Sequence, residues 1–404
     1  MNCVGSGYTV KSIIGRIYTI VVSCYSLFCN LIRPKNINMK YYISFLLTVL
    51  VYSASFACYN EYYSLDSKGQ FHLIDVGVIR FQKSFDQQKI ERQLRKLGKK
   101  LQTKADYKLL SDYGLYLVKG GKVKEALVIF EALALAYPDE YSIIANLGTT
   151  YELSGNNEKA LEYIRKGLKL NPDSHGGSEW IHVKVLLAKI ALDKDPDYLS
   201  NHTVLNLSTK QEESEEVRKQ LYIQLKERFP FCKAPDPVMA DLFVDLGDCY
   251  LHSISFEHAK GLYQIAKIYY QSSRADIDPK IEEVQKLRAK YADRQPEGYH
   301  GVESMVSKIS GVPYSSYLEN PDSDNYQINW SDILTNPDQL LELVGLKRLE
   351  EMKQEPEPEK DQEIVEKPVA VKKNTKSDRS MLWIGLTSMI LLISVFTYFK
   401  AKRK

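Results

Sequence analysis

The stretch LGTTYELSGNNEKALEYIRKGLKLNP, residues 147–172, decides the fold. Leu147 and Tyr151 stand four apart on one helical face, Gly155 interrupts the pattern, Ala160 and Ile164 restart it, and Pro172 ends it. This is a helix, a turn and a second helix. The same script occurs 34 residues upstream, where Gly114 matches Gly148, Gly121 matches Gly155, Ala126 matches Ala160 and Pro138 matches Pro172. GGKVKEALVIFEALALAYPDE at 120–140 thus lies in register with SGNNEKALEYIRKGLKLNPDS at 154–174. A repeat of this period is one helical hairpin.

Each hairpin has a physical reading. Leu110, Tyr113 and Leu117, then Ile144, Leu147 and Tyr151, form the packed stripe of a first helix. Gly121 and Gly155 stop that helix and permit the turn. Ala126 and Ala160 are small enough for a second helix to approach closely, and Phe130 and Ile164 fill the space behind them. Pro138 and Pro172 close each unit, because proline lacks an amide proton and clashes with a preceding helical turn. One hairpin cannot bury its apolar face alone, so the units stack.

A third copy at 240–273 keeps Leu246, Gly247, Tyr250, Ala259, Tyr263 and Ala266 at the same spacings, but Ile254 and Gln271 replace its turn glycine and closing proline. A degenerate unit lies between, at about 175–239. Its apolar helix SEWIHVKVLLAKIAL (178–192) is followed by the polar stretch DKDPDYLSNHTVLNLSTKQEES before a second helix near 214–229. It reads as a repeat opened by an insertion. The amphipathic segment 87–103 caps the start of the array, and residues 61–75 show hairpin-like alternation around Asp66–Gly69.

These residues resemble the tetratricopeptide repeat, whose order of leucine–glycine, tyrosine, glycine, alanine, aromatic and closing proline is the order displayed. Two departures are conservative in bulk: Ile164 stands where an aromatic is usual, and Tyr113 and Leu117 replace the leucine and later tyrosine. The resemblance covers about 105–275. It implies an all-α, right-handed superhelical solenoid whose first helices line a concave groove that takes a protein or peptide partner. Carried onto this chain, the groove comprises Lys108, Ser111 and Leu115, then Ser142, Ala145, Thr149 and Glu152, then Asp241, Val244 and Asp248. Some family members clamp a carboxylate there. Asn146 suits such a clamp, but Ser111 and Leu115 occupy the places of its lysine and asparagine, so no carboxylate clamp is expected.

Beyond the array, apolar residues concentrate in three stretches. MLWIGLTSMILLISVFTYF at 381–399 carries no charge and precedes a basic tail at 400–404, the pattern of a single C-terminal transmembrane helix across a hydrocarbon core about 30 Å thick. Residues 39–57, starting at Met39, have the basic start, apolar run and small residues Ser55 and Ala57 of a cleaved signal peptide. Residues 1–38 are then a doubtful upstream extension. If Met1 is the start, the rival is an N-terminal anchor. Cys58 after the cleavage site raises a lipoprotein reading that Ser55 and Phe56 fit poorly. The remaining domains are an N-terminal hairpin and capping helix at 58–104, a mixed region at 276–350 with a short helix at 337–352, and a linker at 351–380. The linker, rich in proline and acid, cannot build a core and extends as a spacer at about 3.1 Å per residue. The expectation is a single-pass membrane protein of bacterial-envelope type, with its repeats periplasmic and its C-terminus cytoplasmic.

Catalytic signatures are missing. The seven histidines form no HExxH or close cluster, and no nucleophile elbow, phosphate loop or dinucleotide fingerprint occurs. His252 and His258 flank a repeat turn and are the one pair placed to meet. Cys232 and Cys249 read as two thiols or as one disulfide. With 54 Lys+Arg against 51 Asp+Glu, nothing points to nucleic acid. The expected function is a non-catalytic, membrane-anchored scaffold without metal or cofactor. The alternative is an accessory subunit of an enzyme or assembly complex with a site in 276–350.

Overall fold

The computed structural model describes residues 62–74, 79–272, 274–295, 312–321 and 325–349. All belong to one unit, Met1–Lys353; a second, Gln354–Lys404, lies outside the described residues. Consecutive helices pack each on the next: α1 (Gln87–Thr103), α2 (Tyr107–Lys119), α3 (Val123–Ala136), α4 (Tyr141–Leu153), α5 (Asn157–Leu170) and α6 (Glu179–Lys194). Two single helical turns, Tyr198–Asn201 and Thr209–Glu212, lie in the insertion, after which come α7 (Glu215–Arg228), α8 (Pro237–Ser253), α9 (Phe256–Gln264) and α10 (Ile277–Lys290).

The caps explain where these helices start. Asp86, Asp106, Asn156, Ser214, Asp236 and Ser255 each accept a backbone N–H of the first turn that the helix itself leaves unpaired. At Gly121 and Gly155 the chain turns with φ of 87°, a conformation open to glycine and strained for other residues. Between paired helices, the first-helix glycine faces the bulky second-helix residue. A Cβ on Gly114 meets the Phe130 ring at 3.0 Å, one on Gly148 meets Ile164 at 2.7 Å, and one on Gly247 runs into the Tyr263 ring more closely still.

These distances give an ordered prediction. Tyr263 is fully buried and its hydroxyl is held by Asp248, so its ring cannot retreat. Gly247→Ala is expected to lower stability by about 1–3 kcal/mol through overpacking. In Gly114→Ala the milder contact is offset by a gain in helix propensity of up to about 1 kcal/mol, leaving it near neutral. Denaturant midpoints of the two variants check the order.

The apolar stripes converge on two cores. One joins α1–α5, with Ile90, Leu94, Leu97 and Leu101 of α1 against Leu110, Leu117, Phe130 and Leu147. The other joins α7–α10 around Phe229, Phe243, Leu246 and Tyr270. Helix α6 serves both, giving Val183 and Leu186 to the first and Ile181, Val185 and Ala188 to the second. The unit that reads as degenerate is therefore the joint of the array.

Two segments outside the repeats bind its parts together. Strands β1 (Tyr62–Leu65) and β2 (Phe71–Ile74) pair antiparallel about a turn in which Asp66 accepts the N–H groups of Lys68 and Gln70. The hairpin sits on the third copy, where Ser67 N–H donates to Leu251 and Ser64 bonds Ser255. From there β3 (Phe81–Gln82) leads to α1 and pairs in parallel with β4 (Leu318–Glu319). The C-terminal strap packs Tyr317 against α9 at Gly261, gives Glu91 of α1 two hydrogen bonds from Tyr326 and Asn329, and accepts the Tyr113 hydroxyl at Leu334. It ends in α11 (Pro337–Glu342), whose Leu340 and Leu341 enter the first core. Sequence reading extends that last helix to 352; it ends at Glu342, and Gly345 follows at φ 73°.

The expected fold class and localisation need correction. Among the described residues no helix is long and apolar enough to cross a membrane. The reason is compositional: the long helices are two-faced, as in α1, where Lys89, Lys99 and Lys100 are exposed opposite the buried leucines. The stretches 39–57 and 381–399, on which the signal-peptide and membrane readings rested, lie outside the described residues. The fold retained is a helical repeat array in which, among the described residues, no helix is long and apolar enough to cross a membrane, so the single-pass, periplasmic assignment is not kept.

Candidate partner-binding groove

The residues assigned to a groove divide into an open half and a filled half. On α2 and α4, Lys108 and Ser142 are exposed and Leu115, Ala145 and Thr149 are partly exposed. Beside them Tyr107 and Tyr137 stack at 3.8 Å, and the Tyr107 hydroxyl donates to Glu140. Ser111 is buried, so the groove reading is corrected there. Asn146 is partly buried, and its carbonyl accepts the Thr150 hydroxyl.

The other assigned residues are covered by the chain itself. Glu152 is buried and holds two cations and an imidazole: Arg228 and Lys189 each donate to Oε1 at 2.8 Å, and His182 Nε2 lies 2.8 Å from Oε2. Burial would push this carboxyl up, but Arg228, His182 and Lys189 outweigh it and hold it well below the usual range. His182 also faces Glu179, which pairs with His175 at 3.1 Å. Burial raises the Glu179 carboxyl, and the two histidines more than reverse this, bringing it to about 2.

Asp241, Val244 and Asp248 are buried too, which corrects their assignment to an exposed surface. The insertion passes over them: Val204 N–H donates to Asp241, and Val204 and Leu205 join the second core. Arg274 pairs with Asp241, Lys280 donates to Asp248 at 2.6 Å, and Tyr263 donates to Asp248 at 2.7 Å. Periodicity in the first helices located this face, but where the insertion and residues 274–280 run is not written in any local pattern. Asp245, in the same acidic row, was missed although its spacing from Asp241 and Asp248 marks it.

Elsewhere the chemistry is structural. His252 lies near Ser67 and Glu212, while His258 stacks on Tyr250 and bonds Ser255. Burial lowers the His258 imidazole to about 4. Cys232 and Cys249 are free thiols, and burial pushes Cys232 up to about 11, so neither geometry nor acidity marks a nucleophile. A cavity of about 490 Å³ beside β3 and β4 is lined by Gln82, Asp86, Glu319, Asn320 and Pro321. Its two acids have structural partners: Asp86 caps α1 and Glu319 pairs with Arg80. Among the described residues no group of histidine, cysteine or acid is placed to hold a metal ion.

Glu257 sets a pH dependence. It is 3% exposed, and burial raises its carboxyl to about 7 despite Arg288 at 3.5 Å. A raised carboxyl binds a proton in the fold that the unfolded chain has already released. Its stabilising contribution is therefore full below the unfolded value of about 4.5 and is lost as pH rises through about 7. Glu257→Gln is expected to flatten the decline in melting temperature between pH 5 and about 8 that the unaltered chain shows. Parallel melts of both proteins check it.

No family model matches the chain. Over 59 residues it is 42% identical to Protein CTR9 homolog of Arabidopsis thaliana, a match covering 15% of this chain and 5% of that protein. The chain thus spans a small fraction of that relative. That protein contains tetratricopeptide repeats. The described helices form a repeat array that resembles tetratricopeptide repeats, and the match covers one short stretch of the chain.

Proposed function

We propose that the chain is a non-catalytic scaffold that binds an extended or helical segment of a partner protein along the open half-groove of α2 and α4. The observation that supports this reading is the contrast between the halves. Glu152, Asp241 and Asp248 are engaged by the chain's own cations, whereas Lys108, Ser142, Leu115, Ala145 and Thr149 stay accessible beside the Tyr107–Tyr137 stack. Accessible aliphatic and aromatic surface with one cation suits a partner segment carrying apolar anchors and an acid.

Crosslinked capture from the native cells tests it, comparing the unaltered chain with Lys108→Glu plus Thr149→Arg. These positions are at the surface, so stability should change by less than about 0.5 kcal/mol while a specific partner is lost. An unchanged set of partners, with the fold intact by circular dichroism, would overturn the assignment of the groove.

A further inference from the structure

In the filled half of the groove, Asp245 is a group that the filling does not satisfy. Asp241, Asp245 and Asp248 share a face of α8 at spacings of four and three residues. Asp241 has the Val204 N–H and Arg274; Asp248 has Tyr263 and Lys280. Asp245 lies between them, 6% exposed, and its Oδ2 has no hydrogen-bond partner. Three carboxyl groups thus share two cations, both already committed to the outer pair. Burial, followed by the charges of Asp241 and Asp248, raises the Asp245 carboxyl well above its ordinary range. A buried carboxyl oxygen without a partner is the mark of a missing donor.

The insertion covers this face, with the Val204 N–H on Asp241. Residues 203–213 belong to the insertion, not to any repeat hairpin. They are held by Val204 and Leu205 in the core, by the turn Thr209–Glu212 against α8, and by an exposed Lys68–Glu213 ion pair at 2.5 Å. Asn206, Ser208, Thr209, Lys210 and Gln211 are exposed. The segment gives this face a backbone N–H and two apolar side chains.

We propose that the acidic face of α8 is a binding station for an arginine- or lysine-bearing segment of a partner protein, held closed by residues 203–213 until that segment displaces them. The proposal rests on reading the array as a protein-binding groove. A guanidinium reaching Asp245 supplies the missing donor in a charge-assisted bond. The chain already uses this chemistry on the same face at Arg274 and Asp241.

The test uses the full chain and fluorescein-labelled peptides of alternating arginine and alanine, or glutamate and alanine, read by anisotropy. Val204→Ser plus Leu205→Ser loosens the cover and should tighten binding of the arginine peptide about tenfold, because apparent affinity scales with the open fraction. Adding Asp245→Asn should abolish that gain, and the glutamate peptide should bind none of these proteins. Lys68→Ala breaks only the exposed tether and gives a smaller gain, so it serves if the double variant does not fold.

Hydrogen exchange should rise across 203–213 when the arginine peptide binds. Equal binding with and without Asp245, or no binding to either loosened variant, overturns the proposal. Binding that protects α2 and α4, and is lost in Thr149→Arg but kept in Asp245→Asn, overturns it while leaving the open-groove reading in place. Binding that needs Asp245 but survives Thr149→Arg has the reverse meaning.

Discussion

Glu152→Ala is expected to lower stability by about 3–5 kcal/mol, because it leaves buried cations without their counter-charge. The side chains of Arg228 and His182 are each 8% exposed, and Lys189 is 23% exposed. None reaches water freely. Glu152 gathers them from α6 and α7 onto α4, and α6 is the helix common to both cores. Loss of the carboxylate therefore weakens the joint between the cores as well as one ion pair.

A denaturant titration of Glu152→Ala beside Glu152→Gln plus Arg228→Met decides the cause. If uncompensated charge dominates, the double variant recovers most of the loss, since replacing both partners of a buried pair is often close to neutral. If both proteins are equally destabilised, the packing of α4 on α6 is what Glu152 supplies. The pH profile gives a second readout. Glu152 and Glu179 have depressed carboxyls, so their contribution is present above about 4.5 and is lost as pH falls through their folded values, about 2 for Glu179. Glu257 acts in the opposite sense over the window above it.

The repeat architecture was legible because it is local. A glycine sixteen residues before a bulky side chain, as in Gly114 and Phe130, Gly148 and Ile164, and Gly247 and Tyr263, is written into three hairpins and needs no knowledge of the rest of the chain. The groove was legible only in part. Geometry places Lys108, Ser142 and Thr149 on one surface, but the same geometry placed Glu152, Asp241 and Asp248 there, and these are sealed by Arg228, Arg274 and Lys280 from distant positions. A loop leaves no periodic trace of where it packs. Residues 193–214 could be read as an insertion but not as a cover. Helix α10 was not singled out, since only Ile277 and Val284 of it are buried and the rest is rich in charge. The membrane readings rested on apolar stretches that lie outside the described residues, and no described helix supports them.

Phe81→Ala tests whether the segment before the array is part of its core. Phe81 is fully buried although it sits in a two-residue strand outside every repeat. Its ring meets Phe243 of α8 at 4.9 Å, Phe229 at 5.5 Å and Tyr222 of α7 at 5.6 Å. Truncation removes the centre of this aromatic cluster and leaves a cavity, so a loss of about 3–5 kcal/mol is expected. At about 2–4 °C per kcal/mol for a unit of this size, the melting temperature should fall by roughly 6–20 °C. Phe81→Leu keeps most of the volume and should lose less than about 1.5 kcal/mol. Leu73→Ala in the same segment, at a side chain 56% exposed, should change little. β3 is the link by which the third copy is joined to α1 and to the strap through β4. If Phe81→Ala melts like Leu73→Ala, the repeats are self-sufficient and the segment is an accessory to them. The expected large drop means instead that the solenoid closes its second core with a side chain no repeat supplies.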